Sequence, residues 1–210
     1  MEVNSIILYD NKGFKVKLYS KILEGSAKAI MFSVKDRVFE PSYAYHRNGT
    51  RIKSSTRTSS SIEIKDKDIL KVCRLNWTDH VIDNCVSSTY NIEVKGKEPF
   101  SILKYEPDQE YKPHYDCFLP AMYNDSLLAN GGQRIITALL GLQKAREGGE
   151  TYFPDIDLKV TLDQGDLLLF NSAKDSSICY RESRHGGLPV VNGTKYIMTR
   201  WYREDFYSQD

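Results

Sequence analysis

Apolar positions recur at two different spacings along the chain. Residues 5–9 and 14–19 are short β-rich runs that predict strands. From Ser20 to Lys35 the period changes. Ile22, Leu23, Ala27, Ile30 and Met31 fall at helical spacing behind a serine able to cap the first turn. Tyr43 to Ser61 is polar and rich in Ser and Thr, which predicts a loop or lid. Asp66 to Asp83 is the second predicted helix, with Ile69, Leu70, Cys73, Leu75 and Trp77 as its apolar positions.

The texture changes near Pro99. Short β-rich runs then follow one another, from "FSILKYE" through "RIITALLGLQ" and "DLLLFN" to "KYIMTRWYR", separated by Gly, Pro and Asp turns. Roughly eight strands without intervening helices predict an antiparallel sandwich or barrel. The expected class is α+β: a double-stranded β-helix (jelly roll) core with supporting N-terminal helices. The chain reads as a single domain. Residues 1–98 would supply helical and strand support and a lid loop, and residues 99–210 the core.

Composition narrows the function. A chain of 210 residues suits one well-packed domain. A net charge of +1 gives no reason to expect nucleic acid or an anionic membrane as the main partner. No run approaches the ~20 apolar residues of a membrane span. The N-terminus lacks the basic segment that opens a signal peptide, so a cytoplasmic or otherwise intracellular protein is expected. Cys73, Cys85, Cys117 and Cys179 form no CxxC pair and read as buried free thiols in a reducing compartment. The sequons headed by Asn48, Asn76, Asn124 and Asn192 read as chance matches.

Candidate chemistry centres on "EYKPHYDCF", Glu110 to Phe118. In a strand, residues i and i+2 face the same side, so His114 and Asp116 would point together. Alone, such a pair is most often a hydrogen-bonded couple or surface polarity. The other histidines are His46 in the polar loop, His80 in a predicted helix and His185 before a Gly-Gly turn. His185 is the natural third ligand. Two imidazoles and a carboxylate on one face of a metal leave the opposite positions open, as in non-haem Fe(II) oxygenases. Lys195 opens an otherwise apolar strand ten residues later. Its charge is costly to bury without an anion, and a cosubstrate carboxylate would supply one. Tyr105, nine residues before His114, could donate a hydrogen bond to the same carboxylate.

With these residues in place the chain resembles the collagen-type prolyl 4-hydroxylases within the Fe(II)/2-oxoglutarate dioxygenases. The resemblance runs from about Arg57 to Arg203 through "RTSSS", "ILKYEPDQEYKPHYDCF", "GGQRIITALLGL", "EGGETYFP", "GDLLLFN" and "RHGGLPVVNGTKYIMTRWYR". It implies iron ligation by His114, Asp116 and His185. It implies that Lys195 pairs with the distal carboxylate of 2-oxoglutarate, with Tyr105 and Thr151 hydrogen-bonding it. Tyr111 and Arg134 match positions near a peptide substrate, and Trp201 lies beside the site. Arg57 and Ser59 match a mobile loop that closes over substrate. The implied reaction is hydroxylation of a proline-containing peptide or protein with Fe(II), O2 and 2-oxoglutarate, giving succinate and CO2, with ascorbate as reductant.

There are departures from the family pattern. Gly141 stands where an aromatic is common, "SAKDSSICYRES" differs from the usual wording before the second histidine, and the first fifty residues match weakly. A short form of the family without a signal segment suggests a microbial or viral source, or a cytosolic eukaryotic enzyme. Alternative readings are an oxygenase acting on another residue or a small molecule, and a non-catalytic jelly-roll binding module. A zinc hydrolase would want a general base near its water, and only Glu150 is placed to offer one.

Overall fold

The computed structural model describes residues 4–45, 51–53, 56–64, 74–119 and 125–208. The N-terminal strands β1 (Ser5–Asn11) and β2 (Phe14–Tyr19) lead into helix α1 (Glu24–Val34), followed by β3 (Ser60–Ile64) and helix α2 (Leu75–Tyr90). Then come β4 (Phe100–Tyr105), β5 (Tyr111–His114), helix α3 (Asp125–Ala129) and β6 (Arg134–Gln143). The chain continues through β7 (Thr151–Phe153), β8 (Leu158–Val160), β9 (Leu167–Asn171), β10 (Ala173–Asp175) and β11 (Ile178–Cys179). It ends on β12 (His185–Gly187) and β13 (Lys195–Arg203).

Two antiparallel sheets form a double-stranded β-helix. The larger runs β1-β2-β9-β6-β13-β4-β3, with Glu40–Pro41 on its outer edge. Strands from the first 98 residues thus lie in the same sheet as β6 and β13. The smaller sheet runs β8-β7-β12-β5. The larger sheet is covered on both faces, which explains why its central strands read as nearly continuous apolar runs. The period of two sorts their residues. Ile136, Ala138 and Leu140 of β6, Leu167 and Leu169 of β9, and Met198 and Tyr202 of β13 pack in one cluster with α1 and α2. Leu139, Leu168, Phe170 and Ile197 pack in the other, with Phe153 and Val160 of the smaller sheet.

Helix α2 departs from its expected bounds. Residues 65–73 lie outside the described residues, and Arg74, in a left-handed conformation (φ 62°), precedes the first turn. The helix continues past Asp83 because Ile82, Cys85, Val86 and Thr89 extend its buried stripe, and Asn91 (φ 54°) ends it. Two acids one turn apart fasten α2 to the sheet. Asp79 accepts from buried Arg200 at 2.7 Å, Asp83 accepts from Tyr202 at 2.8 Å, and Lys97 reaches both carboxylates.

Two further expectations are corrected. The strands after Pro99 are interrupted by α3, which ends at the positive-φ pair Gly131 and Gly132. The cysteines are not all free thiols. Cys117 and Cys179 form a disulfide with Cα atoms 6.1 Å apart, because the β10–β11 hairpin folds back over the end of β5. Cys85 is free and buried, and Cys73 lies outside the described residues. Among the described residues no helix is long and apolar enough to cross a membrane.

Candidate functional site

The site forms where β5 and β12 pair at the edge of the smaller sheet. His114 ends β5 and is the direct register partner of His185, the first residue of β12. Asp116 does not share the strand as the i, i+2 rule anticipates. It lies in a bend beyond the end of β5. Its carboxylate still turns inward, because the Thr137 hydroxyl on β6 donates to Oδ2 at 2.7 Å. One residue beyond Cys117, the Gln133 side chain bonds both backbone groups of Phe118.

The three side chains converge. His114 Nε2 lies 3.5 Å from Asp116 Oδ1, and His185 Nε2 lies 3.5 Å from Asp116 Oδ2. One ligand atom from each lies within 4.8 Å of the others, so the cluster could hold a metal ion. Each imidazole has its Nδ1 2.9 Å from a backbone carbonyl, Lys112 for His114 and Ser183 for His185. A carbonyl only accepts, so each Nδ1 carries the proton and each Nε2 presents its lone pair to the cluster. Burial pushes the His185 imidazole down to about 4, which keeps it a neutral donor. Burial works to raise the Asp116 carboxyl, while charge on His185 and His114 when they are protonated, together with the bond from Thr137, draws it well below the usual range. Two neutral nitrogens and one carboxylate suit Fe(II), and thiolates would suit softer ions.

A pocket opens from this cluster into the space between the sheets. Arg57, Tyr105, Tyr111, Thr151, Lys195, Thr199 and Trp201 line it. Lys195 and Tyr105 are register partners in β13 and β4. Lys195 is 8% exposed, and its ammonium donates to the Gly149 carbonyl at 2.6 Å. Among the described residues it has no ion-pair partner within bonding distance. Burial pushes it down to about 8, partly offset by Glu150. Burial also raises the Tyr105 hydroxyl, with Arg57 and Ser59 pulling the other way. Thr199 Oγ1 and Trp201 Nε1 are buried and find no hydrogen-bond partner among the described residues. Orphaned polar atoms on a pocket wall are what a polar ligand would satisfy.

Of the other anticipated residues, Tyr111 stacks on His114 with ring centroids 3.5 Å apart and planes 15° apart. Burial raises its hydroxyl to about 12. The Arg57 guanidinium lies 4.9 Å from the Tyr111 ring, and Arg57 bridges to Tyr111 through the backbone. Ser59 does not line the pocket. It is buried just before β3 and bonded to Ser42. Arg134 is also absent from the lining. Its guanidinium makes two bonds to buried Glu98, at 2.6 and 2.7 Å, and stacks 3.8 Å from the Trp201 ring centroid. Sequence reasoning passed over Thr137, Thr199 and Phe170, whose ring packs edge-on to His185 at 4.7 Å. Thr137 is the hydroxyl inside the apolar run "RIITALLGL", and Thr199 shares the Lys195 face of β13, which was the available signal.

Residues 100–203 match the 2OG-Fe(II) oxygenase superfamily. A candidate prolyl 4-hydroxylase of Acanthamoeba polyphaga mimivirus is 29% identical over 77% of this chain and 67% of its own length. Prolyl 4-hydroxylase 1 of Arabidopsis thaliana is 33% identical over 75% of this chain, which spans 57% of that relative. The solved viral collagen prolyl hydroxylase of Paramecium Bursaria Chlorella virus-1, in its 2OG complex, shares the fold with a TM-score of 0.67. It is 22% identical over 90% of this chain and 95% of its own. The chain belongs to the 2OG-Fe(II) oxygenase superfamily, and within it these relatives bear the names of prolyl hydroxylases.

Proposed function

We propose that the protein is a prolyl 4-hydroxylase acting on proline within a peptide or protein, with Fe(II), O2 and 2-oxoglutarate, and with ascorbate as reductant. The observation that carries this reading is one pocket with the His114, Asp116 and His185 cluster on its wall and the buried Lys195 ammonium beside it. Names of relatives support proline as the target.

His114, Asp116 and His185 would hold the metal, the Nε2 atoms of the two histidines kept unprotonated by the Nδ1–H bonds to Lys112 and Ser183. Thr137 fixes the Asp116 carboxylate by donating to one of its oxygens. When bound, Fe(II) and 2-oxoglutarate supply the oxidising power that inserts an oxygen atom into an unactivated C–H bond, with succinate and CO2 as coproducts. Lys195 would pair with the far carboxylate of 2-oxoglutarate, a charge-assisted contact in a partly dry pocket. Tyr105 from the larger sheet and Thr151 from the smaller one line the same pocket and would hydrogen-bond it. Tyr111 and Trp201 present aromatic surface to the substrate ring. Arg134 acts through Trp201, holding the indole from behind while Glu98 holds the guanidinium. Arg57 lines the same pocket beside Tyr111, where it would meet the peptide.

The test is mass spectrometry of proline-containing peptides after incubation with the protein, Fe(II), ascorbate and 2-oxoglutarate, with succinate followed in parallel. A gain of one oxygen on proline with matching succinate supports the reading. Succinate with no oxidation in any proline peptide would reject proline as the target and leave the oxygenase.

A further inference from the structure

The Cys117–Cys179 disulfide lies outside the proposed chemistry, yet it joins the two stretches that carry the cluster. Cys117 directly follows Asp116. From Cys179 the chain passes through Tyr180 and one tight turn, Arg181–Ser183, to His185. The bond therefore spans 62 residues of sequence and ties the Asp116 bend to the approach of His185. Non-covalent ties on the Asp116 side come from β6 and the residue before it. They are the Thr137 bond to the carboxylate and the Gln133 bonds to Phe118 at 2.7 and 3.0 Å. On the other side, the Tyr180 N–H and the Ser183 hydroxyl donate to the Ser172 carbonyl. These two sets of bonds hold each stretch to the larger sheet; the β5–β12 pairing at His114 and His185 and the disulfide hold one stretch to the other.

The two sulfurs differ in access. Cys117 is 3% exposed. Cys179 is partly exposed on a short hairpin, beside Ile178 at 48% exposure. An incoming thiolate can reach Cys179 first. We propose that this disulfide is a redox-controlled staple of the metal cluster: exchange with a dithiol opens it, loosens the Asp116 bend against the His185 turn and weakens metal retention. In the first step a dithiol thiolate bonds to Cys179 Sγ, the S–S bond breaks and Cys117 leaves as the thiolate. In the second, the remaining thiol of the reagent attacks the mixed disulfide and releases Cys179. Two electrons and two protons pass to the cysteine pair, and the dithiol leaves as its own disulfide. The metal half of the proposal rests on the assignment of His114, Asp116 and His185 as ligands.

The experiment compares oxidised protein, protein reduced with dithiothreitol and freed of it anaerobically, and the double variant Cys117→Ser/Cys179→Ser. Amide hydrogen exchange is read first, without metal. The expected result is several-fold faster exchange around residues 112–119 and 178–187 in the reduced and double-variant proteins, with α1 and β6 unchanged. The double variant should not respond to dithiothreitol. Equal exchange in all three samples would overturn the staple. Release of bound Co(II) to a chelator is read next, and about tenfold faster release from the reduced protein is expected, the scale of losing an outer support of a metal ligand. Equal release rates would overturn the metal half. Failure of the oxidised protein to hold Co(II) would overturn the ligand assignment and the metal half with it, while the exchange data would still decide the staple.

Discussion

His114 and His185 are register partners across β5 and β12, with ring centroids 4.6 Å apart, although 71 residues separate them in sequence. One pairing between strand ends thus sets the distance between two nitrogen donors, and the bend after β5 adds the carboxylate. His114→Ala, Asp116→Ala or His185→Ala should each reduce metal affinity and 2-oxoglutarate turnover by more than about 100-fold, since losing a ligand costs more than losing its outer support. Metal titration and succinate release check this. Wild-type turnover in Asp116→Ala would contradict the ligand set.

Thr137 is a support for Asp116 and touches nothing that reacts. Its hydroxyl donates to Asp116 Oδ2 and shares a bond with Ser172. Thr137→Val keeps the shape and removes the donor. Metal affinity should fall about 10- to 100-fold, with about 1 kcal/mol lost in folding stability. Unchanged affinity in a metal titration would reduce Thr137 to a packing role.

Lys195 gives the site a pH dependence with a definite sign. Burial lowers its ammonium to about 8, so the ligand-free protein loses this charge as pH rises past that value. The affinity for 2-oxoglutarate should be flat below about pH 8 and weaken by up to tenfold per unit above it. The same shift acts on folding. Between about 8 and the ordinary 10.5 the unfolded chain binds a proton that the native one does not, so this group's contribution to stability rises with pH there. Lys195→Ala should raise the 2-oxoglutarate requirement by the equivalent of about 2–3 kcal/mol and remove the pH step. A flat binding profile up to pH 10 in the wild type would contradict the assignment.

Gly186 lets β12 approach β5. A Cβ there would fall 2.6 Å from the Tyr111 carbonyl oxygen and 3.1 Å from the Pro113 nitrogen, both backbone atoms. Gly186→Ala should push the strands apart, cost about 1–3 kcal/mol of stability and weaken metal binding through the His114–His185 pairing. Chemical denaturation and metal titration read the two effects. Wild-type values in both would show that the strand contact does not set the site.

Much of this arrangement was legible because strands place residues by a period of two. On β13, Lys195, Thr199 and Trp201 face the pocket while Met198, Arg200 and Tyr202 face the helices. Lys195 stood out as a charge in an apolar strand. Thr199 did not, because threonine is also an ordinary strand former. The His114–His185 pairing could be anticipated from residue chemistry, but the bend that carries Asp116 could not, since its position is set by Thr137 and Gln133 on another element. Arg134 was visible as a residue near the site. Its orientation depends on Glu98, a partner 36 residues away whose burial the local sequence does not reveal. The Cys117–Cys179 bond escaped for the same reason: it exists only once the β10–β11 hairpin has folded back.

The most direct test of the account is a reaction run under isotopically heavy O2, with a proline-containing peptide, Fe(II), ascorbate and 2-oxoglutarate. Product and succinate are both weighed, for the wild type and for Asp116→Ala. The account predicts a labelled hydroxyl on proline and a labelled carboxylate in succinate, in equal amounts, from the wild type and neither from the variant. Label in neither product from a metal-loaded wild type, or equal labelling by Asp116→Ala, would contradict it.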